Sequence, residues 1–187
     1  MPNLWWAEID DLKNAKKQIV DTEEFAPDEE LKNINFDNKV VLDFGCGVGR
    51  NLRYLVTTSA QQIIGFDFPN MIELSKQVLS EDERAKIQFI SPPLQNLPKL
   101  DIIIATLVFQ HVNDIGELIE YLYILREALS EDGLIYINSR GYIDVGSDPN
   151  VNRNTWYHIL EFFDPITALD DSNGTEHHQK VLFRRKL

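Results

Sequence analysis

Val40-Val41-Leu42-Asp43-Phe44-Gly45-Cys46-Gly47-Val48-Gly49-Arg50 is the stretch that decides the fold. Val40 to Leu42 is too short and too β-branched for a helix, whereas Arg50-Asn51-Leu52-Arg53-Tyr54-Leu55-Val56 puts Leu52, Leu55 and Val56 on one helical face. Gly45, Gly47 and Gly49 therefore make the turn of a strand-turn-helix unit. Glycine accepts the positive φ that such a turn demands. Without a Cβ it also lets a ligand approach the backbone, and the helix behind it begins with unpaired N–H groups. Asp43 restricts the ligand. A carboxylate before the glycines repels a pyrophosphate, and Arg50 stands where the dinucleotide pattern G-x-G-x-x-G requires its last glycine. A ligand with a positive amine suits that acid.

Outward from this stretch, strands and helices alternate. Ile63-Ile64-Gly65-Phe66-Asp67 is a second strand ending in an acid, 24 residues after Asp43, and Phe68 follows it. Pro69 to about Leu79 reads as a helix with proline in its first turn and Met71, Leu74 and Val78 on one face. Ile87-Gln88-Phe89-Ile90 is the third strand, followed by the loop Ser91-Pro92-Pro93-Leu94-Gln95-Asn96-Leu97-Pro98. Leu100 to Thr106 is a nearly continuous apolar run, as in a parallel strand buried on both faces. It leads through His111 to a helix from about Ile115 to Leu129, and Glu131-Asp132-Gly133 turns into a strand at Leu134 to Asn138. Arg140 to Tyr157 leaves room for a loop and one brief helix. Ile159 to Phe163 and Lys180 to Arg184 read as two strands joined across Asp170 to Gly174.

Asp43-x-Gly45-x-Gly47-x-Gly49, with Asp67 ending the second strand, Leu97-Pro98 before the fourth and His111-Val112 after it, resembles the class I S-adenosylmethionine-dependent methyltransferases over roughly residues 38 to 140. The resemblance implies an α/β, Rossmann-like, seven-stranded mixed sheet, its last strand antiparallel, with helices on both faces. It implies one domain over 1–187: a helical lead-in at 1–37, a cofactor-binding core at 38–140, and at 141–187 a short substrate-side segment with the closing hairpin. By the same resemblance S-adenosylmethionine is the cofactor. Asp43, Gly45, Cys46, Gly47 and Gly49 lie along its amino acid portion, Asp67 at the ribose hydroxyls, Phe68, Leu94 and Gln95 around the adenine, and Thr106 beside the ligand. Pro93 stands where the family often has an Asp, which leaves the adenine amino group to backbone groups or Gln95.

The reaction implied is an in-line displacement that moves a methyl group to oxygen or nitrogen of a small acceptor, so alignment and exclusion of water do most of the work. His111 is the candidate base if the acceptor arrives protonated, and packing of its loop is the competing role. Trp5, Trp6, Tyr142 and Trp156 are candidate acceptor-lining aromatics, with core packing as the alternative. Cys46 fits as a small side chain in the turn rather than as a nucleophile. A lone cysteine excludes cytosine-C5 chemistry, which needs a Pro-Cys nucleophile, and radical chemistry, which needs three. Thr106-Leu107-Val108-Phe109 lacks the Asn/Asp-Pro-Pro-Tyr pattern of the enzymes that methylate amino groups of DNA, RNA and glutamine. No His, Asp and Glu set has metal-ligand spacing.

The formal charge of −12, from 30 acids and 18 bases, repels phosphate backbones and disfavours nucleic acid as partner. No apolar run approaches the roughly 18 residues of a membrane span, and Met1 to Trp6 lacks a signal-peptide pattern, so the expected location is the cytoplasm. Two alternatives remain at this level. One is a non-catalytic S-adenosylmethionine-binding partner subunit, favoured by Pro93 and the short substrate side. The other is an NAD-type oxidoreductase, opposed by Asp43 and the glycine spacing.

Overall fold

The structure is a computed structural model and describes residues 27–112, 114–140, 149–171 and 178–186. Trp5, Trp6 and Tyr142, and the helical lead-in expected over 1–37 as far as residue 26, lie outside the described residues. The chain divides into two compact units, with the boundary between Leu94 and Gln95. Seven strands form a mixed sheet.

In the first unit a 3-10 turn at Glu29–Asn33 precedes β1 (Val40–Phe44), α1 (Arg50–Leu55), β2 (Gln62–Phe66), α2 (Pro69–Val78), α3 (Glu81–Arg84) and β3 (Ile87–Ile90). The strands run parallel in the order β3-β2-β1, with Asp43 opposite Gly65 and Phe44 opposite Phe66. Val41, Leu42, Phe44, Ile63, Ile64 and Phe66 are all buried, which explains why both strands are rich in apolar residues. The Phe44 and Phe66 rings stack at 5.1 Å between centroids. Helix α2 has Pro69 in its first turn and buries Met71, Ile72 and Leu74. Helix α3 begins with a reciprocal capping box between Ser80 and Glu83.

The second unit contains β4 (Leu100–Thr106), a 3-10 turn at Phe109–His111, α4 (Ile115–Ala128), β5 (Leu129–Arg140), α5 (Pro149–Phe162), β6 (Phe163–Asp171) and β7 (His178–Arg185). The order is β4-β5-β7-β6; β4 and β5 are parallel, and β7 is antiparallel to both its neighbours. The expected mixed sheet with an antiparallel last strand is thus borne out.

Three boundaries differ from the sequence reading. Ile159 to Phe162 is not a strand but the last turn of α5, because Trp156, Ile159 and Phe163 are buried while Tyr157 and Leu160 are exposed, a spacing of three to four rather than two. The outer strand therefore starts at Phe163, and it contains Asp170 and Asp171, which had read as its turn. The turn expected at Glu131 to Gly133 is an irregularity inside β5: the pairing passes from Leu100 with Leu129 to Ile102 with Leu134. A Cβ on Gly133 would lie 2.6 Å from Leu129 Cδ1, so only glycine fits that fold-back.

Candidate cofactor site

The glycine turn is held by backbone bonds to the end of β2. Gly45 and Cys46 both donate their N–H to the Phe66 carbonyl, at 2.8 and 3.0 Å. Gly49 N–H closes the turn on the Cys46 carbonyl at 2.9 Å. All three glycines have left-handed φ, +73° at Gly45, +55° at Gly47 and +91° at Gly49, a region that L side chains enter at a cost of about 1 kcal/mol or more. Gly47 and Gly49 add different second constraints. A Cβ on Gly49 would stand 2.7 Å from Ser75 Oγ, so α2 packs onto bare backbone there. A Cβ on Gly47 would meet nothing within 4 Å, so the space in front of that residue is open.

Asp67 follows β2 and grips this turn. Its Oδ2 accepts the Gly47 N–H and its Oδ1 the Phe68 N–H, both at 2.7 Å. Burial pushes its carboxyl up to about 6, against the lowering effect of those two N–H groups. Each oxygen keeps a lone pair for a further donor such as a hydroxyl.

Asp43 lies within β1 and is 1% exposed. Its Oδ1 accepts from Asn51 Nδ2 at 3.3 Å, and its Oδ2 is buried with no hydrogen-bond partner among the described residues. Burial raises its pKa to about 7; the Asn51 bond and the Arg50 charge oppose that rise, and Asp67 and Asp28 add to it. Arg50 is itself engaged by Asp28, at 3.3 Å. A buried carboxylate oxygen without a donor is expensive, and a ligand ammonium group would supply both the missing bond and the missing charge. Cys46 is buried, and burial drives its thiol well above the ordinary value, so it stays protonated. That agrees with its reading as a small packing residue.

The other sequence candidates are distributed as follows. Phe68 is half-buried at the start of α2 and Leu94 is buried at the end of the first unit. Gln95 is exposed. In the second unit Thr106 ends β4 opposite Asn138, and His111 is half-buried with its Nε2 3.3 Å from Gln110 Nε2. Trp156 is 6% exposed and stacks on Phe183 at 6.3 Å, a packing environment.

A family model described as "Methyltransferase domain" matches residues 14–179. The chain belongs to this family. The methyltransferase domain is 31% identical over 111 residues to protein arginine N-methyltransferase 1 of Saccharomyces cerevisiae, a match covering 54% of the chain but only 30% of that relative's length. In fold it is similar to a SAM-dependent methyltransferase from Aquifex aeolicus, with a TM-score of 0.74, 17% identity and coverage of 94% of this chain and 99% of that one. It is also similar to the N-methyltransferase NodS of Bradyrhizobium japonicum in complex with S-adenosyl-L-homocysteine, with a TM-score of 0.69, 12% identity and coverage of 94% and 98%.

Four residues of this methyltransferase domain escaped the sequence reading. Asn51 had been read only as part of a helix, yet it is buried against Asp43. Arg50 pairs with Asp28 across 22 positions of sequence, which no local pattern reveals. Ser75 sits on the apolar face of α2 with its hydroxyl buried and without a hydrogen-bond partner among the described residues. Its position three before Val78 and four after Met71 was the available signal. Leu107, directly after β4, has φ +58° and donates its N–H to the Asn138 carbonyl at 2.7 Å. For leucine that is a strained conformation of the kind that clusters at functional sites. Among the described residues no group of three or more His, Cys, Asp or Glu could hold a metal ion, and no helix is long and apolar enough to cross a membrane.

Proposed function

We propose that this methyltransferase domain binds S-adenosylmethionine at Asp43, the glycine turn and Asp67, and transfers its methyl group to a nitrogen or oxygen atom of a small acceptor. The observation that carries the reading is the buried Oδ2 of Asp43, without a hydrogen-bond partner among the described residues, together with the open space at Gly47. When bound, S-adenosylmethionine supplies a methyl group on a positively charged sulfur. Asp43 receives the ligand's ammonium, Asp67 takes the ribose hydroxyls with its remaining lone pairs, and Gly47 lets the ligand meet the backbone. Phe68, Leu94 and Gln95 are assigned to the adenine and Thr106 to the ligand through its backbone. Where the acceptor carries an extra proton, His111 is the residue to remove it. The single family model running through both units supports reading the chain as one domain.

Nitrogen is favoured over oxygen by the names of two relatives, an arginine N-methyltransferase and an N-methyltransferase. A small acceptor is favoured over nucleic acid by the charge of −12. The test is calorimetric titration with S-adenosylmethionine and S-adenosylhomocysteine, with Asp67→Ala and Gly47→Val alongside. Micromolar binding by the wild type, lost in both variants, is the expected result and leads to an acceptor screen; a folded wild type that binds neither ligand refutes the proposal.

A further inference from the structure

Asp43 presents an unusual arrangement for a charged group: among the described residues one oxygen has a neutral donor and the other has none. The donor, Asn51 Nδ2, belongs to a side chain that is itself buried, in the first turn of α1. The cation that acts on Asp43 is Arg50, and its guanidinium pairs with Asp28. The consequence is chemical. A lysine or arginine bonded to Asp43 would neutralise it and compete with a ligand ammonium, whereas an amide cannot titrate and adds no charge. It fixes one oxygen, favours the ionised form by hydrogen bonding, and leaves the second oxygen open.

We infer that Asn51 is a positioning residue for the cofactor acid: its amide holds Oδ1 of Asp43 so that a charged Oδ2 remains available to the ammonium of the ligand. This rests on the proposed function above. The charged and titratable groups around Asp43 are Arg50 from α1, Asp67 after β2, Asp28 before the first 3-10 turn, and Cys46 in the glycine turn; Asn51 adds its neutral hydrogen bond. Arg50 and Asn51 favour its ionised form, while Asp67 and Asp28 oppose it. With Asp43 titrating at about 7, the balance is close enough for loss of one donor to tip it.

The experiment uses Asn51→Ala and Asn51→Ser, the second keeping a donor, both checked for a cooperative thermal transition. Carbon-13 NMR of the aspartate carboxyls follows the titration of Asp43 in the cofactor-free protein. In Asn51→Ala the midpoint is expected to rise by about one pH unit, the lower range for a hydrogen bond to a charged group. The ionised fraction at pH 7 then falls from about a half to about a tenth, and S-adenosylhomocysteine binds about fivefold more weakly than to the wild type. At pH 9 that ratio returns close to one, because Asp43 is ionised in both proteins and titration of the ligand cancels. Asn51→Ser recovers part of the loss at pH 7. An unchanged midpoint, or the same affinity ratio at pH 7 and pH 9, overturns the inference and leaves Asn51 a packing residue. If the wild type binds no S-adenosylhomocysteine at either pH, the proposed function fails, whereas a midpoint that still rises shows that Asn51 sets the charge of Asp43. Should Asn51→Ala fail to fold, the same two readings on Asn51→Ser, expected midway between the others, decide.

Discussion

Asp43→Asn should make the cofactor-free protein more stable, and increasingly so as the pH rises. The folded protein raises this carboxyl from 3.8 to about 7, chiefly by burial. A carboxyl raised on folding keeps its proton in the folded state at pH values where the unfolded chain has already released it. Its favourable contribution is present below the unfolded value and is lost as pH rises from there through the folded value. At about 1.4 kcal/mol per pH unit, holding Asp43 in its site costs about 4 kcal/mol at pH 8 and less than about 2 kcal/mol at pH 5. Asparagine has almost the same shape, can still accept from Asn51, and has nothing to ionise. The advantage of the variant should therefore grow by about 2–3 kcal/mol between pH 5 and pH 8, or roughly 5–10 °C in melting temperature for a chain of this size. Urea unfolding of both proteins without cofactor, at half-unit steps across that range, measures it. The prediction has a second half: the variant should lose cofactor binding, since its uncharged side chain cannot match an ammonium. A stability difference that is flat with pH would refute the argument, because it would mean that Asp43 is already ionised and partnered in the folded state.

Gly49→Ala should destabilise by about 1–3 kcal/mol in denaturant, since the new Cβ meets Ser75 Oγ at 2.7 Å and the backbone has φ +91°; adding Ser75→Gly should restore only the packing part. Ser75→Ala alone removes a buried hydroxyl without a hydrogen-bond partner among the described residues and should be neutral or stabilising by up to about 1 kcal/mol in the same assay, a clear loss of stability counting against it. Leu107→Gly should relieve the left-handed strain at φ +58°, offset by glycine's greater freedom when unfolded, so that urea unfolding changes by less than about 1 kcal/mol while Leu107→Val loses more than that.

The parts of the fold legible in the sequence were those whose signal is local. Glycines at 45, 47 and 49 after a β-branched run can only be a strand-to-helix turn, and all three have positive φ. Leu100 to Thr106 read correctly because a strand covered on both faces is apolar without a break at its centre, here Ile102 to Ala105. Ile159 to Phe163 misread because five apolar-rich residues fit either period, and the deciding neighbour, Trp156, lies outside that window. The site divides in the same way. Asp43 and Asp67 announce themselves as acids directly after apolar runs, but the bonds between Asn51 and Asp43 and between Arg50 and Asp28 depend on how the chain closes in space. The acceptor side was unreadable for a further reason: Trp5, Trp6 and Tyr142 are ordinary aromatics without a pattern that separates lining from packing.

The double acceptance of Gly45 and Cys46 by the Phe66 carbonyl has a kinetic consequence. The loop proposed to receive the ligand acquires its shape when β1 and β2 pair, so the ordering entropy of those residues, about 1–2 kcal/mol each, belongs to folding and not to binding. Association with this loop should then be a simple bimolecular step, its observed rate rising in proportion to ligand concentration without the plateau that a slow rearrangement of the loop would impose.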